Sequence, residues 1–123
     1  MTGERDLAAL IAQLQPRLYP ARYEFAVAAS EGFAAGTFAV IAEEEGLTRV
    51  AESPTGEWAR ISLGVHSSLE AVGLTALLSS RLADLGISAN VIAAFHHDHF
   101  FVPWERKDEA VEALSHPQES GTP

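Results

Sequence analysis

Cysteine is absent from the 123 residues, which excludes disulfides and thiolate-held zinc or iron–sulfur centres. Basic charge is scarce: 8 Lys and Arg stand against 17 Asp and Glu, a net charge of −9 with histidine neutral. A field of that sign repels phosphate backbones and anionic headgroups, so no nucleic acid and no membrane surface is expected as a partner. No apolar run reaches the roughly 20 residues that a membrane-spanning helix needs. The opening MTGERDLAAL has neither the basic segment nor the apolar stretch of a secretory signal. A cytoplasmic setting is the expectation. The G-x-S-x-G elbow, the phosphate-cradling P-loop and the G-x-G-x-x-G turn are also missing. His66 and Ser67 are chain neighbours, which does not make a catalytic dyad. The expectation is a non-catalytic protein with no cofactor.

What is present is a chain long enough for a core, with hydrophobic periods that switch between 2 and 3.6. Leu7, Leu10, Ile11 and Leu14 have helical spacing, and Pro16 is expected to end that helix. Tyr23, Phe25 and Val27 alternate, as do Phe38, Val40 and Ala42, and Leu47 to Ala51 reads as a return strand. Glu43-Glu44-Glu45-Gly46 between the last two is a charged turn, and a solvated loop explains it better than a metal site.

The centre of the chain is Trp58 to Trp104. Ile61, Leu63 and Val65 point to one face of a strand; Arg60, Ser62, Gly64 and His66 point to the other. That second face is small and polar, so something other than a core is expected to meet it. Gly64 allows a close approach by a backbone or a ligand. Ser67-Ser68-Leu69-Glu70 matches a capping box, opening a helix to about Leu85 with the stripe Ala71, Leu74, Leu78, Leu82 and Leu85, and Gly86 just past its end. Ile87 to Ala94 and Phe100 to Pro103 read as strands joined by His96-His97-Asp98-His99, and Arg106 to Leu114 as a last helix. Trp58, Trp104, Phe95, Phe100 and Phe101 read as core or interface aromatics. Residues 115–123 read as a disordered polar tail.

TFAVIAEEEGLTRV, the run VHSSLEAVGLTALLSSRLADLGISANVIAAFHHDHFFVP and the trailing EAVEAL resemble a bacterial family of small ACT-domain-containing proteins, related to the ACT modules of aspartate kinases and to CASTOR-type arginine sensors. The resemblance covers roughly residues 20 to 114. It implies an α+β, ferredoxin-like βαββαβ sandwich, an antiparallel sheet with helices on one face. It implies two interleaved or pseudo-repeated ACT modules: an abbreviated N-terminal half over 1–57 and a C-terminal module over 58–114. No room is left for a closing strand after the last helix, so the N-terminal segment is expected to supply it.

By the same resemblance the ligand, an amino acid, sits where the strand meets its helix, in a homodimer. The matching positions are Val65, His66, Ser67, Ser68, Leu69, Val72, Gly73 and Leu74, with Asn90 and Ile92 on the adjacent strand. Free amides at a helix N-terminus suit an α-carboxylate. Glu70 in a capping box would occupy those amides, however, and the same residues serve equally as a capped turn. A ligand-free dimerisation module is the alternative. A histidine-based metal enzyme is a distant third, with His97 and His99 as weak candidate ligands; structural use of the turn, with Asp98 holding it, explains these residues better.

Overall fold

The structure is a computed structural model that describes residues 11, 13–28, 33–64 and 73–117. Six strands form one antiparallel sheet: β1 (Pro16–Val27), β2 (Thr37–Glu43), β3 (Gly46–Glu52), β4 (Trp58–Leu63), β5 (Asn90–Ala93) and β6 (Asp98–Pro103). Two helices, α1 (Leu74–Asp84) and α2 (Lys107–Ser115), complete it, the second entered through a 3-10 turn at Trp104–Arg106. The strand order is β2-β3-β1-β4-β6-β5. β1 lies antiparallel beside β4, in the place of the closing strand that a βαββαβ module would draw from its own C-terminus. The fold is therefore α+β and ferredoxin-like, with a β2-β3 hairpin extending the sheet beyond β1.

β1 begins seven residues earlier than the alternation at Tyr23 implies and contains two prolines. Proline lacks a ladder donor and so breaks central strands, but both prolines escape that cost. Pro16 is the first residue of the strand. Pro20 lies in an irregularity between the pairs Leu18–Ile61 and Arg22–Ala59, where β1 carries two more residues than β4. The N-terminal helix lies almost entirely outside the described residues, and Gln13 to Gln15 already form the approach to β1.

Most other elements keep their expected faces. Leu74, Leu78 and Leu82 of α1 are buried and Leu85 packs beside them. Gly86 follows with φ of 73°, the left-handed conformation in which glycine has no Cβ to clash. Arg106 Nη2 and Nη1 donate to the carbonyls of Leu85 and Gly86 at 3.0 and 3.4 Å, satisfying acceptors at the end of α1. The Glu43–Gly46 segment is a two-residue hairpin turn, and the Thr48 hydroxyl donates to the Glu43 carboxylate. β5 starts at Asn90 rather than Ile87, since Ile87 to Ala89 run into the strand without joining the ladder. α2 is followed by buried Pro117.

The helices cover one sheet face. Ala59, Ile61, Leu63, Phe100 and Val102 pack there against Leu74, Leu78, Leu82, Ala110, Ala113 and Leu114. On the other face a smaller cluster gathers around Tyr23, Val50 and Phe101, with Phe25, Phe38, Trp58 and Ile92 partly buried against it. Phe38 comes from the edge strand β2, yet its ring lies 4.7 Å from the ring of His99 on β6, although β3, β1 and β4 intervene. The sheet is thus curled into a half-barrel whose inner side holds the second cluster.

Candidate functional site

Two places in this frame combine polar groups with backbone irregularity. The first is the end of β4 and the start of α1. The Gly64 N–H donates to the carbonyls of Leu14 and Gln15 at 2.7 and 3.2 Å, and a Cβ on Gly64 would stand 3.1 Å from that of Gln15. The close approach expected at Gly64 is made by the protein's own backbone. α1 opens at Leu74, with Gly73 as its N-cap at φ 97° and ψ −20°. This corrects the expected start at Ser67: the helix is shorter, Gly73 lies before its first turn rather than within it, and among the described residues no side chain caps its amides. The first turn contains no acidic residue. Among the described residues, the first-turn N–H groups and their partial positive charge are met by no capping side chain and no acid. Val65, His66, Ser67, Ser68, Leu69 and Val72, with the capping box itself, lie outside the described residues.

The other four expected ligand residues divide between the two faces of the sheet. The Leu74 side chain is buried in the helix-side core, so only its backbone can meet a ligand. Asn90 and Ile92 pair with Phe101 and His99, which places them on the inner side. Gly73 and Leu74 stay together at the corner; Asn90 and Ile92 face away from it.

The second place is the inner face itself, where Arg60 is the central group. Its guanidinium carbon lies 3.9 Å from the Tyr19 ring centroid, 4.2 Å from Phe38 and 5.7 Å from Tyr23. Nε donates to Nδ1 of His99 at 3.3 Å and Nη1 to the Tyr23 hydroxyl at 3.1 Å. The Tyr19 and Ser62 hydroxyls are hydrogen-bonded at 3.2 Å. Strand irregularities assemble this cage. Tyr19 to Ala21 share the space opposite Arg60, which brings Tyr19 and Tyr23 to the same guanidinium. A bulge at Phe38, between the pairs Thr37–Ala51 and Ala39–Val50, aims the third ring. His99 is only 7% exposed, and burial, then the charges of Arg60 and His97, lower its pKa to about 4. It is neutral at physiological pH, which is the state that can accept from Arg60 through Nδ1.

The histidine turn is closed by the Ala94 N–H donating to the His97 carbonyl at 3.1 Å. Asp98 opens β6, its carboxyl raised above the usual range chiefly by burial. His97 precedes the strand and His99 is committed to Arg60. Among the described residues no three His, Asp or Glu groups converge as metal ligands. Of the aromatics read as core or interface, Phe100 and Phe101 are fully buried, Trp58 and Trp104 half-buried, and Phe95 is exposed in the turn. A cavity of about 480 Å³ lined by Ala21, Arg22, Ala35, Gly36, Glu52, Ser53 and Pro54 shares only Ala21 with the inner face and contains none of the groups on Arg60. Sequence reasoning saw the small polar face of β4 but missed the Arg60 cage, since its rings come from β1 and β2 through irregularities that no alternation announces.

Among the described residues no helix is long and apolar enough to cross a membrane. No curated protein matches this chain. A solved structure of a Vibrio cholerae protein of unknown function, described as a "possible transport protein", is 39% identical, with a TM-score of 0.72 over 88% of this chain and 92% of that one. An Agobacterium tumefaciens protein, 19% identical with a TM-score of 0.66 over 88% of this chain and 91% of its own, shares the fold. Two ACT domain models match, one over residues 2–68 and the other over 55–116, and together with the curled sheet and its borrowed closing strand they place this chain in the ACT-domain family.

Proposed function

We propose that this protein is a non-catalytic regulator that binds a free amino acid where β4 gives way to α1. ACT domains are regulatory, ligand-binding modules, and the chain matches them through both halves. The observation that carries the reading is the start of α1, with a glycine N-cap, no acid in its first turn and, among the described residues, no side chain on its amides. An α-carboxylate fits such a start, because the unpaired N–H groups and the helix dipole both favour negative charge. The rest of the site is assigned to Val65, His66, Ser67, Ser68, Leu69 and Val72, with Gly73 giving the backbone room. Asn90 and Ile92, on the far side of the sheet, would serve a ligand only through a second copy of the chain, which fits a homodimer. The ligand would favour one arrangement of the two copies and so shift their population. We place this activity in the cytoplasm.

The test is thermal unfolding of dialysed protein against each of the twenty amino acids. A ligand at about a hundred times its Kd stabilises by roughly 2.7 kcal/mol, several degrees for a chain of this size. A selective rise with one or two amino acids, abolished in Ser67→Ala, supports the reading. A flat panel with a concentration-dependent dimer would leave a ligand-free dimerisation module in its place.

A further inference from the structure

Arg60 is a half-buried cation that has aromatic neighbours and hydrogen-bond acceptors but, among the described residues, no counter-charge. Among the described residues the ion pairs are Arg106–Glu109 and His116–Glu112, and Arg60 takes part in neither. Arg17 stacks on the same Tyr19 ring, at 4.5 Å from its centroid, so two guanidiniums share one aromatic ring. This happens in a chain with about twice as many acids as bases. Rings compensate part of the desolvation of a cation, and the remainder is ordinarily met by an anion.

The guanidinium is also incompletely used. Two of its five N–H groups are donated, to His99 and Tyr23. Nη2 has no hydrogen-bond partner among the described residues and is not sealed from solvent. Its free edge matches the planar fork of a carboxylate. The neighbouring groups suit an organic acid. Phe38 and Tyr19 stack on the guanidinium, half-buried Ile92 gives apolar surface on β5, and exposed Asn90 lies two strands over, beyond β6.

We propose that the inner side of the half-barrel is a second binding site, for a small organic carboxylate held by the free edge of Arg60. The site is on the opposite sheet face from the start of α1 and does not depend on an amino acid binding there. The neutral His99 fixes the guanidinium in plane through Nε and adds no competing charge.

The probe is sodium benzoate, titrated into the full chain while the Arg60 Nε–H resonance is followed by NMR, with sodium chloride at matched ionic strength as control. The signal is assigned by its loss in Arg60→Lys, which keeps the charge but not the fork. The expected result is a saturable shift with benzoate, no comparable shift with chloride, and affinity weakened about tenfold or more in Arg60→Lys, read from the remaining inner-face signals of Asn90 and Ile92. A linear shift equal to that of chloride would make the cage a purely structural device and overturn the proposal. Saturation by inorganic phosphate but not by benzoate would overturn the carboxylate assignment. A shift that follows protein concentration instead of benzoate would give Arg60 to an acidic side chain of a second copy. The inner-face signals of Asn90 and Ile92 are followed in the wild-type titration as well, and their saturation with benzoate but not chloride decides the question even where the variant fails to fold and the Arg60 signal goes unassigned.

Discussion

Nε of Arg60 donates to Nδ1 of His99 across 3.3 Å, so the buried imidazole accepts from a cation and must stay neutral to do so. Its folded pKa of about 4 lies below the unfolded value of 6.5. The neutral form is favoured by the fold, so the associated stability is fully present above pH 6.5 and is lost as pH falls through about 4. The loss amounts to about 2–3 kcal/mol. Asp98 works in the opposite direction. Its carboxyl is raised, chiefly by burial, so it destabilises when ionised and that cost fades on acidification. Denaturant midpoints measured between neutral pH and pH 4 should therefore fall. His99→Asn keeps an acceptor near Arg60 without the titration and should flatten the profile, whereas Asp98→Asn should steepen it.

Gly56 packs against the backbone of Tyr23. A Cβ there would stand 2.4 Å from the Tyr23 carbonyl oxygen and 2.6 Å from its carbon, and neither atom belongs to a flexible side chain. Gly56→Ala should cost about 2 kcal/mol or more, since the turn has to move away from β1. Its carbonyl also accepts from Arg22 Nη1 at 3.1 Å, so the same shift loosens that contact. Urea unfolding of the variant reads the effect directly.

Phe101 is the hub of the inner cluster, with ring centroids 5.6 Å from Tyr23, 5.3 Å from Phe25 and 5.6 Å from Phe38. It is fully buried. Phe101→Ala should lower stability by about 3–5 kcal/mol, the range for deleting a buried phenyl ring. The curl of the sheet should relax with it, so the near-ultraviolet signal of the Tyr23–Trp58 region should weaken even where the variant stays folded.

Gly73 adopts a left-handed conformation that a side chain disfavours. Gly73→Val should cost about 1–3 kcal/mol through backbone strain. If the start of α1 holds the ligand, it should also reduce the amino-acid-induced rise in melting temperature while leaving the benzoate response at Arg60 unchanged. Loss of both responses would mean that the two sites are not separate.

The sequence by itself determined the elements that repeat a period. The stripe Leu74, Leu78 and Leu82, the glycine after α1, the hairpin at Glu44–Glu45 and the two faces of β4 all follow from local spacing and turn chemistry, which depend only on near neighbours. It also showed that β4 turns a small polar face away from the core, because alternation separates Arg60 and Ser62 from Ile61 and Leu63. Three things were decided only in three dimensions. β1 extends through two prolines because partners and a two-residue irregularity excuse their missing donors, and no local rule predicts that. α1 starts at Leu74 behind a left-handed Gly73 rather than at Ser67, since a local capping signal competes with the backbone conformation that packing imposes at Gly73. The Arg60 cage draws one residue each from β2, β4 and β6 and two from β1, and it exists because the sheet curls until Phe38 reaches His99. Long-range closure of that kind leaves no periodic trace in the chain, so only the tertiary structure could bring the Arg60 guanidinium, three rings and a neutral histidine to one place.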